Sequence, residues 1–569
     1  MDTPLERYKI IVTLASINYT PMFKEFSSMT RLSSVLLLFA GSLSLVSCDK
    51  SKPTSPEARQ RFESIIPRPV SATMNGSTFT ITRDTRIVIP ESGKGLENVA
   101  NFLAEKLRPA TGFEIGISEE ETSGKGSIVL SLVTDSELGD EGYELTIEEQ
   151  QVSIRANSPM GAFWGVQTFR QLLPENIEQS SAMNDEEWEI ATGTIRDYPQ
   201  YAWRGSMMDV ARHFFDVEEM KDFIDLISLY KINVLHLHLS DDQGWRIEIK
   251  SWPNLHQIGG QTQVGGEEGG YYTQEDYAEI VDYAARHFIT IIPEIDMPGH
   301  INAALVSYKE LNPGPAINRE PASSRPRPKA GEVYTGIEVG FSTLDIRKEI
   351  TFQFVNDVLR ELAGMTPGPY LHIGGDEAAV TKKPDYIAFI NRFKDIVKAN
   401  NKKMIGWEEI AQADLDSTIT VQHWHSQAYA RMAADKGAKL IFSPAQKVYL
   451  DMQYDSTTKL GLHWAAYIDV DSSYIWDPAS RVSGIDPAQI RGVEAPLWSE
   501  TLVTMDDVEY MLFPRLPGVA EVGWTKPENR NWDDYKVRLA NQAARWDVLD
   551  INYYKSPKVP WKTEEKPLQ

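Results

Sequence analysis

The stretch Leu371-His372-Ile373-Gly374-Gly375-Asp376-Glu377 completes an apolar run begun at Tyr370 that reads as a short buried strand. Two glycines then free the backbone at the strand's end, which permits a sharp turn and the close approach of a ligand. Two carboxylates follow side by side. As structure alone such a pair is costly, because like charges repel and each loses hydration if buried. The plain alternative is a strand ending in solvated acids that cap the next helix, where Asp and Glu are common. The residues on either side decide between the two.

Around that strand, from Tyr201 onward, short apolar runs alternate with amphipathic ones. Strands are predicted at 203–210, 234–239, 289–293, 370–373, 403–407, 418–424, 440–443 and 492–497. Helical spacing falls at 217–230, 273–286, 350–362, 385–399 and 427–436. Parallel strands with helices between them close into a (β/α)8 barrel, although periodicity does not separate eight strands from seven or nine. In a barrel the reactive groups stand just past the strands, at the C-terminal rim. The strand ends here carry Asp209-Val210-Ala211-Arg212-His213, Ser240-Asp241-Asp242-Gln243-Gly244-Trp245-Arg246 and Pro293-Glu294-Ile295-Asp296-Met297-Pro298-Gly299-His300. Further on they carry Asp376-Glu377, Trp407-Glu408-Glu409, His423-Trp424-His425, Tyr449-Leu450-Asp451 and Leu497-Trp498-Ser499-Glu500. The Pro- and Gly-rich segment 305–340 is a long rim loop, a length that is commonly functional.

His-Ile-Gly-Gly-Asp-Glu, Leu-Ser-Asp-Asp-Gln-Gly-Trp-Arg, Met-Pro-Gly-His and Leu-Trp-Ser-Glu, met in this order, resemble the signatures of the family 20 glycoside hydrolases, the β-N-acetylhexosaminidases. The resemblance runs from about Ile66 to Trp546. It implies the barrel, a small α/β domain before it, and an exo-acting retaining hydrolysis of terminal N-acetylhexosamine. Most retaining glycosidases set two carboxyl groups about 5 Å apart across the anomeric carbon. Adjacent side chains diverge, so Asp376 and Glu377 suit that arrangement poorly. Family 20 enzymes instead use the substrate's own 2-acetamido oxygen as nucleophile. The resemblance makes Glu377 the general acid and base, with its proton affinity expected to be raised by burial and by negative neighbours. Asp376 would hold the acetamido N–H, Tyr449 its carbonyl oxygen, and Asp241 with His300 the dyad behind the acid. Arg212, Asp451 and Glu500 match sugar-hydroxyl ligands. Trp407, Trp424 and Trp498 match pocket walls, with Trp464 toward the leaving group. Asp296 takes a supporting role, and Glu408 and Glu409 read as surface or loop acids.

Residues 66–195 alternate β-rich and helical runs (strands at 78–82, 86–90, 127–132, 143–147 and 152–156, helices at 96–107 and 160–173) and form a small α/β domain without evident chemistry. The barrel is assigned to 196–550 and a frayed tail to 551–569. The net charge of −24 argues against a nucleic-acid binder, and the 14 Trp and 23 Tyr favour stacking on flat faces such as sugar rings. Arg31, the apolar run 32–46 and Leu45-Val46-Ser47-Cys48 form an export signal that resembles a bacterial lipobox, with Cys48 as the acylated residue. Segment 1–48 is thus upstream sequence and signal, 49–65 a tether, and the expected location the bacterial cell envelope. No cofactor or metal is expected. The rival readings are a metal-dependent barrel hydrolase, prompted by His236-x-His238, and a lipid-anchored sugar binder without turnover. Later metal ligands in a recognisable pattern are missing for the first, and the second would be expected to lose Glu377.

Overall fold

The computed structural model describes residues 52–119, 126–313 and 328–562. They open with a helix where a tether was expected. Ser55 caps α1 (Pro56–Glu63), its Oγ accepting from Ala58 N–H at 3.1 Å, and Ala58 and Phe62 are buried. Ser-Pro, which reads as linker chemistry, serves here as N-cap and first helical residue. Pro53 also bridges to Ser77, and Lys52 pairs with Glu189 at 2.8 Å. The chain from Lys52 therefore packs on the small domain, which corrects the tether assignment for residues 52–65; residues 49–51 lie outside the described residues.

That domain is a mixed seven-stranded sheet built from β1 (Ser71–Thr80), β2 (Arg86–Val88), β3 (Gly116–Ser118), β4 (Ser127–Leu132), β5 (Tyr143–Ile147), β6 (Gln151–Ala156) and β7 (Glu189–Asp197), in the order β1-β7-β5-β6-β4-β2-β3. Helices α2 (Glu97–Thr111) and α3 (Pro159–Leu172) share its core, in which Leu103, Leu145, Ile154, Trp164 and Ile190 are buried. Strand β7 was not predicted. It lies between β1 and β5, and its first five residues are all buried, so the alternation that marks a half-exposed strand is absent. Its last residue, Asp197, pairs at 2.9 Å with Lys231 of the barrel, both side chains fully buried, and accepts from Trp524 Nε1 at 2.8 Å. A charge left alone at that seam would be costly, and neither is.

The barrel comprises β8 (Trp203–Asp209), β9 (Val234–His238), β10 (Thr290–Glu294), β11 (Tyr370–His372), β12 (Lys403–Trp407), β13 (Thr420–His423), β14 (Lys439–Phe442) and β15 (Ile490–Leu497). Every neighbouring pair is parallel, and β15 returns to β8 in the register Gly492↔Trp203 through Leu497↔Met208. All eight predicted strands are present, with no end displaced by more than two residues. Trp203, Val234, Ile292, Ile405 and Ile441 plug the lower end of the barrel. Two residues further along the strands the interior turns polar, with His236, Glu294, His372 and Gln422 all buried. An apolar floor below a polar layer points the chemistry toward the C-terminal rim.

The loop after β10 is only partly extended. A short helix, Asn302–Ser307, opens it, and residues 328–344 fold back over the rim, where Ser342 Oγ donates to Asp242 at 2.5 Å. At the other end of the chain Ile551 and Val559 are buried and Trp561 lies 6.1 Å from Trp546, so residues 551–562 pack on the barrel instead of fraying.

Candidate active site

The turn after β11 is shaped by what surrounds it. Gly374 and Gly375 have φ of 64° and 101°, and a Cβ on Gly374 would fall 1.9 Å from Asp296 Oδ1. Only glycine fits there. Gly375 N–H donates to Asp296 Oδ1 at 2.9 Å, and Glu377 itself takes a left-handed φ of 42°. This unusual backbone brings both carboxyl groups to one imidazole: His300 Nε2 stands 3.7 Å from Asp376 Oδ2 and 3.5 Å from Glu377 Oε2. The strand rule that neighbours diverge lapses once the chain has left the strand. His300 is also left-handed, with φ of 47°. Strained backbone of this kind collects at functional sites.

Behind His300 lies Asp241, whose Oδ1 accepts from His300 Nδ1 at 3.1 Å. Asp241 Oδ2 also meets Arg212 Nη2 and His238 Nε2, each at 2.8 Å. Burial favours the protonated form of Asp241, but Arg212 and His300 outweigh it and hold the carboxyl well below the usual range. Burial likewise opposes a charged His300, and Asp241 and Asp376 overcome it, so its imidazolium persists well above the ordinary histidine range. Asp376 is pushed up by burial and pulled back by His300 and by a hydrogen bond with Asp296. Burial and the Asp376 charge push Asp296 well above the carboxylate range. The pair thus favours a proton on Asp296 beside Asp376.

These groups open into a cavity of about 220 Å³. Of the residues expected at the site, Arg212, His300, Asp376, Glu377, Trp424, Tyr449, Asp451, Trp464, Trp498 and Glu500 line it. Trp424 and Tyr449 stack with centroids 6.4 Å apart, and Trp464 meets both edge-on. Trp464 is 54 % exposed and stands at the mouth. Arg212 lies over the Trp498 ring at 4.9 Å and reaches Glu500 at 3.8 Å. Neither carboxyl oxygen of Asp451 has a well-formed hydrogen bond in this buried position, nor does Oδ1 of Asp376. Unpaired acceptors are expensive inside a protein unless a ligand supplies donors.

Three expectations change. Trp407 is buried one layer down, 5.8 Å from Trp498, with its Nε1 donating to Glu294 at 2.8 Å; it supports the lining rather than bordering the cavity. The Glu377 side chain is 40 % exposed, so burial by the protein alone does not enclose it. Glu408 is not a surface acid. It is buried, pairs with His423 at 2.6 Å and accepts from the backbone N–H groups of Trp424, His425 and Ser426, which sets the Trp424 wall. Glu409 accepts from Trp424 Nε1 at 3.3 Å, and burial and Asp376 push its carboxyl up.

Ile337 and Val339 from the rim loop and Leu462 also line the cavity and were not singled out from the sequence. Only their place in long loops could have suggested them. His236 and His238 do face one interior, as their spacing implied. His238 has both ring nitrogens committed to carboxylates, Nδ1 to Glu294 at 2.5 Å and Nε2 to Asp241 at 2.8 Å, and so offers no lone pair to an ion. His236 Nδ1 is 2.8 Å from Glu494 and its Nε2 is 3.0 Å from Glu294.

A cavity the size of one ring, walled by aromatic faces and edged by carboxyl groups at the C-terminal rim of a barrel, defines a glycoside-hydrolase site. Comparison with known proteins bears this out. Residues 201–527 match the glycosyl hydrolase family 20 catalytic domain and residues 63–198 match domain 2 of the same family; the chain belongs to that family. A β-N-acetylhexosaminidase of Cellulomonas fimi is 40% identical over 501 residues, covering 87% of this chain and 97% of that protein. The family 20 β-N-acetylhexosaminidase structure from Streptomyces coelicolor A3(2) superposes with a TM-score of 0.83 at 47% identity, covering 90% of this chain and 100% of that one. A mutant Streptomyces plicatus β-hexosaminidase solved with its product GlcNAc also gives 0.83 at 47% identity, covering 90% of this chain and 99% of that one.

Proposed function

We propose that this chain is an exo-acting, retaining β-N-acetylhexosaminidase that removes terminal non-reducing N-acetyl-D-hexosamine by substrate-assisted catalysis. The observation that carries the reading is the pairing of Asp376 and Glu377 on one imidazole at the edge of a one-ring cavity. Carboxyl groups adjacent in the chain suit a division of labour in which the nucleophile arrives with the sugar.

The acetamido oxygen attacks the anomeric carbon while Glu377 gives its proton to the departing glycosidic oxygen. The C–O bond breaks and an oxazolinium ring forms. Asp376 accepts the acetamido N–H and balances the positive charge, and the Tyr449 hydroxyl donates to the acetamido oxygen. Glu377, now a carboxylate, takes a proton from water, which attacks the same carbon from the vacated side and reopens the ring. Two inversions leave the configuration retained. His300 and Asp241 orient the acid, Arg212, Asp451 and Glu500 bind hydroxyls, and Trp424 and Trp498 pack on the ring. Trp464, at the mouth, meets the leaving group. The relatives, named as β-N-acetylhexosaminidases and in one case holding GlcNAc, support the substrate class.

The test is the anomer first released from p-nitrophenyl β-N-acetylglucosaminide and β-N-acetylgalactosaminide, followed by NMR. The β-anomer of the free sugar should appear before mutarotation, and the α-anomer appearing first would overturn the reading. A panel of defined N-acetylhexosamine-terminated oligosaccharides then ranks the natural glycans.

The export signal supports a lipid-anchored protein of the bacterial cell envelope. Cys48 lies outside the described residues, and no helix among the described residues is long and apolar enough to cross a membrane. In a lipoprotein-processing host the protein should partition into the detergent phase of Triton X-114, and Cys48→Ala should move it to the aqueous phase. Aqueous partitioning of the unaltered protein would rule the anchor out.

A further inference from the structure

Asp241 does not end the chain of groups behind the acid. On the side away from His300 it meets His238 Nε2 at 2.8 Å, and His238 Nδ1 in turn meets Glu294 Oε2 at 2.5 Å. Each nitrogen of His238 faces a carboxylate oxygen, so each must carry a proton, and the ring is an imidazolium. Burial opposes that charge, but Glu294 and the bond to Asp241 outweigh it and push its pKa up to about 10. Glu294 is itself fixed by Trp407 Nε1 at 2.8 Å and stands 2.9 Å from His372 Nδ1 and 3.0 Å from His236 Nε2. His238 and Glu294 occupy paired positions on adjacent strands β9 and β10, so rigid backbone sets their geometry. The Trp498 ring, a cavity wall, closes over His238 edge-on at 5.0 Å. Asp241 is thereby shared between two cationic rings and the Arg212 guanidinium.

We propose that His238, held by Glu294, is a positioning residue for the hydrolysis: it fixes the Asp241 carboxylate and supplies positive charge that offsets the negative potential of Asp241 at His300 and, beyond it, at Glu377. It touches no substrate and acts through Asp241. The inference rests on Glu377 being the general acid. Removing the His238 charge leaves Asp241 less balanced. The extra negative potential reaches Glu377 through His300 and disfavours its ionised form. The basic limb of the kcat/KM–pH profile, where the acid loses its proton, therefore moves to higher pH.

The test uses the full-length enzyme with His238→Gln, which keeps a neutral donor toward Asp241, and His238→Asn, which keeps one toward Glu294. For a substrate with a poor leaving group both should lower kcat by about ten- to a hundredfold, the scale of a catalytic group displaced by about an ångström, with KM little changed. The basic limb should shift upward. In an Asp241→Asn background His238→Gln should cost less than about twofold more, because groups acting as one unit lose activity non-additively. Multiplicative losses, or an unmoved basic limb in whichever variant folds, would overturn the proposal. Glu377→Gln run in parallel separates the two readings. If it stays active the acid assignment fails; if it is crippled while the His238 and Asp241 losses multiply, only the His238 proposal fails.

Discussion

The p-nitrophenyl β-glucoside, identical to the β-N-acetylglucosaminide except for a hydroxyl in place of the acetamido group, is expected to be turned over at least about 10⁵-fold more slowly. The figure follows from the value of a well-oriented intramolecular nucleophile, worth roughly 7–11 kcal/mol of the reaction's activation barrier. Both substrates share the nitrophenolate leaving group, and the glucoside keeps the hydroxyls that Arg212, Asp451 and Glu500 would bind. Neither protonation by Glu377 nor ring binding accounts for the gap. What the glucoside lacks is the attacking oxygen, together with the N–H for Asp376 and the carbonyl for Tyr449. A protein carboxylate acting as nucleophile would treat the two sugars within about a hundredfold, a gap that one or two lost hydrogen bonds in binding explain. Comparable kcat/KM values for the pair would therefore sink the substrate-assisted mechanism.

The barrel was legible because its strands are buried apolar runs bounded by Gly, Pro and polar residues, and because each ends in a group of reactive type. What escaped has identifiable physical causes. Strand β7 is buried on both faces along its first five residues, whereas its neighbour β5 keeps one half-exposed face and its alternation. The α1 helix begins with Ser-Pro and carries only two buried side chains, Ala58 and Phe62, too few to distinguish it from a linker. At the site, the strand-end motifs marked residues that the fold gathers at the rim but not how they are wired. Glu408 follows a tryptophan and resembles a loop acid until the backbone donors of 424–426 are seen converging on it. Glu294 is the instructive omission. An acid closing a strand whose preceding residues are apolar must either face solvent or satisfy something buried, and its register opposite His238 shows which. That signal was present in Pro293-Glu294 and in His236-x-His238, but it takes the pairing of β9 with β10 to join them.

Asp376→Asn is expected to lower kcat by about 10²–10³-fold on every substrate, the scale of losing one preorganised electrostatic partner of a charged intermediate. Asparagine keeps the shape and so spares the packing with Asp296 and the 374–377 turn. It removes the charge that balances the oxazolinium and presents either a weaker acceptor or an opposing N–H to the acetamido group. The intermediate is the same whatever aglycone departs, so the deficit should not depend on leaving-group acidity. Glu377→Gln behaves differently. Its loss should reach about 10²–10⁴-fold where the departing oxygen needs a proton and be much smaller where a nitrophenolate leaves unaided. Plotting log kcat/KM against leaving-group pKa should therefore give a line parallel to wild type for Asp376→Asn and a steeper one for Glu377→Gln. The structure supports the division, since Asp376 is buried with an unpaired Oδ1 while the Glu377 side chain, lining the same cavity, is 40 % exposed. Near-wild-type activity of Asp376→Asn would show that it does not hold the acetamido group. A steep line for it would place Asp376, rather than Glu377, on the glycosidic oxygen.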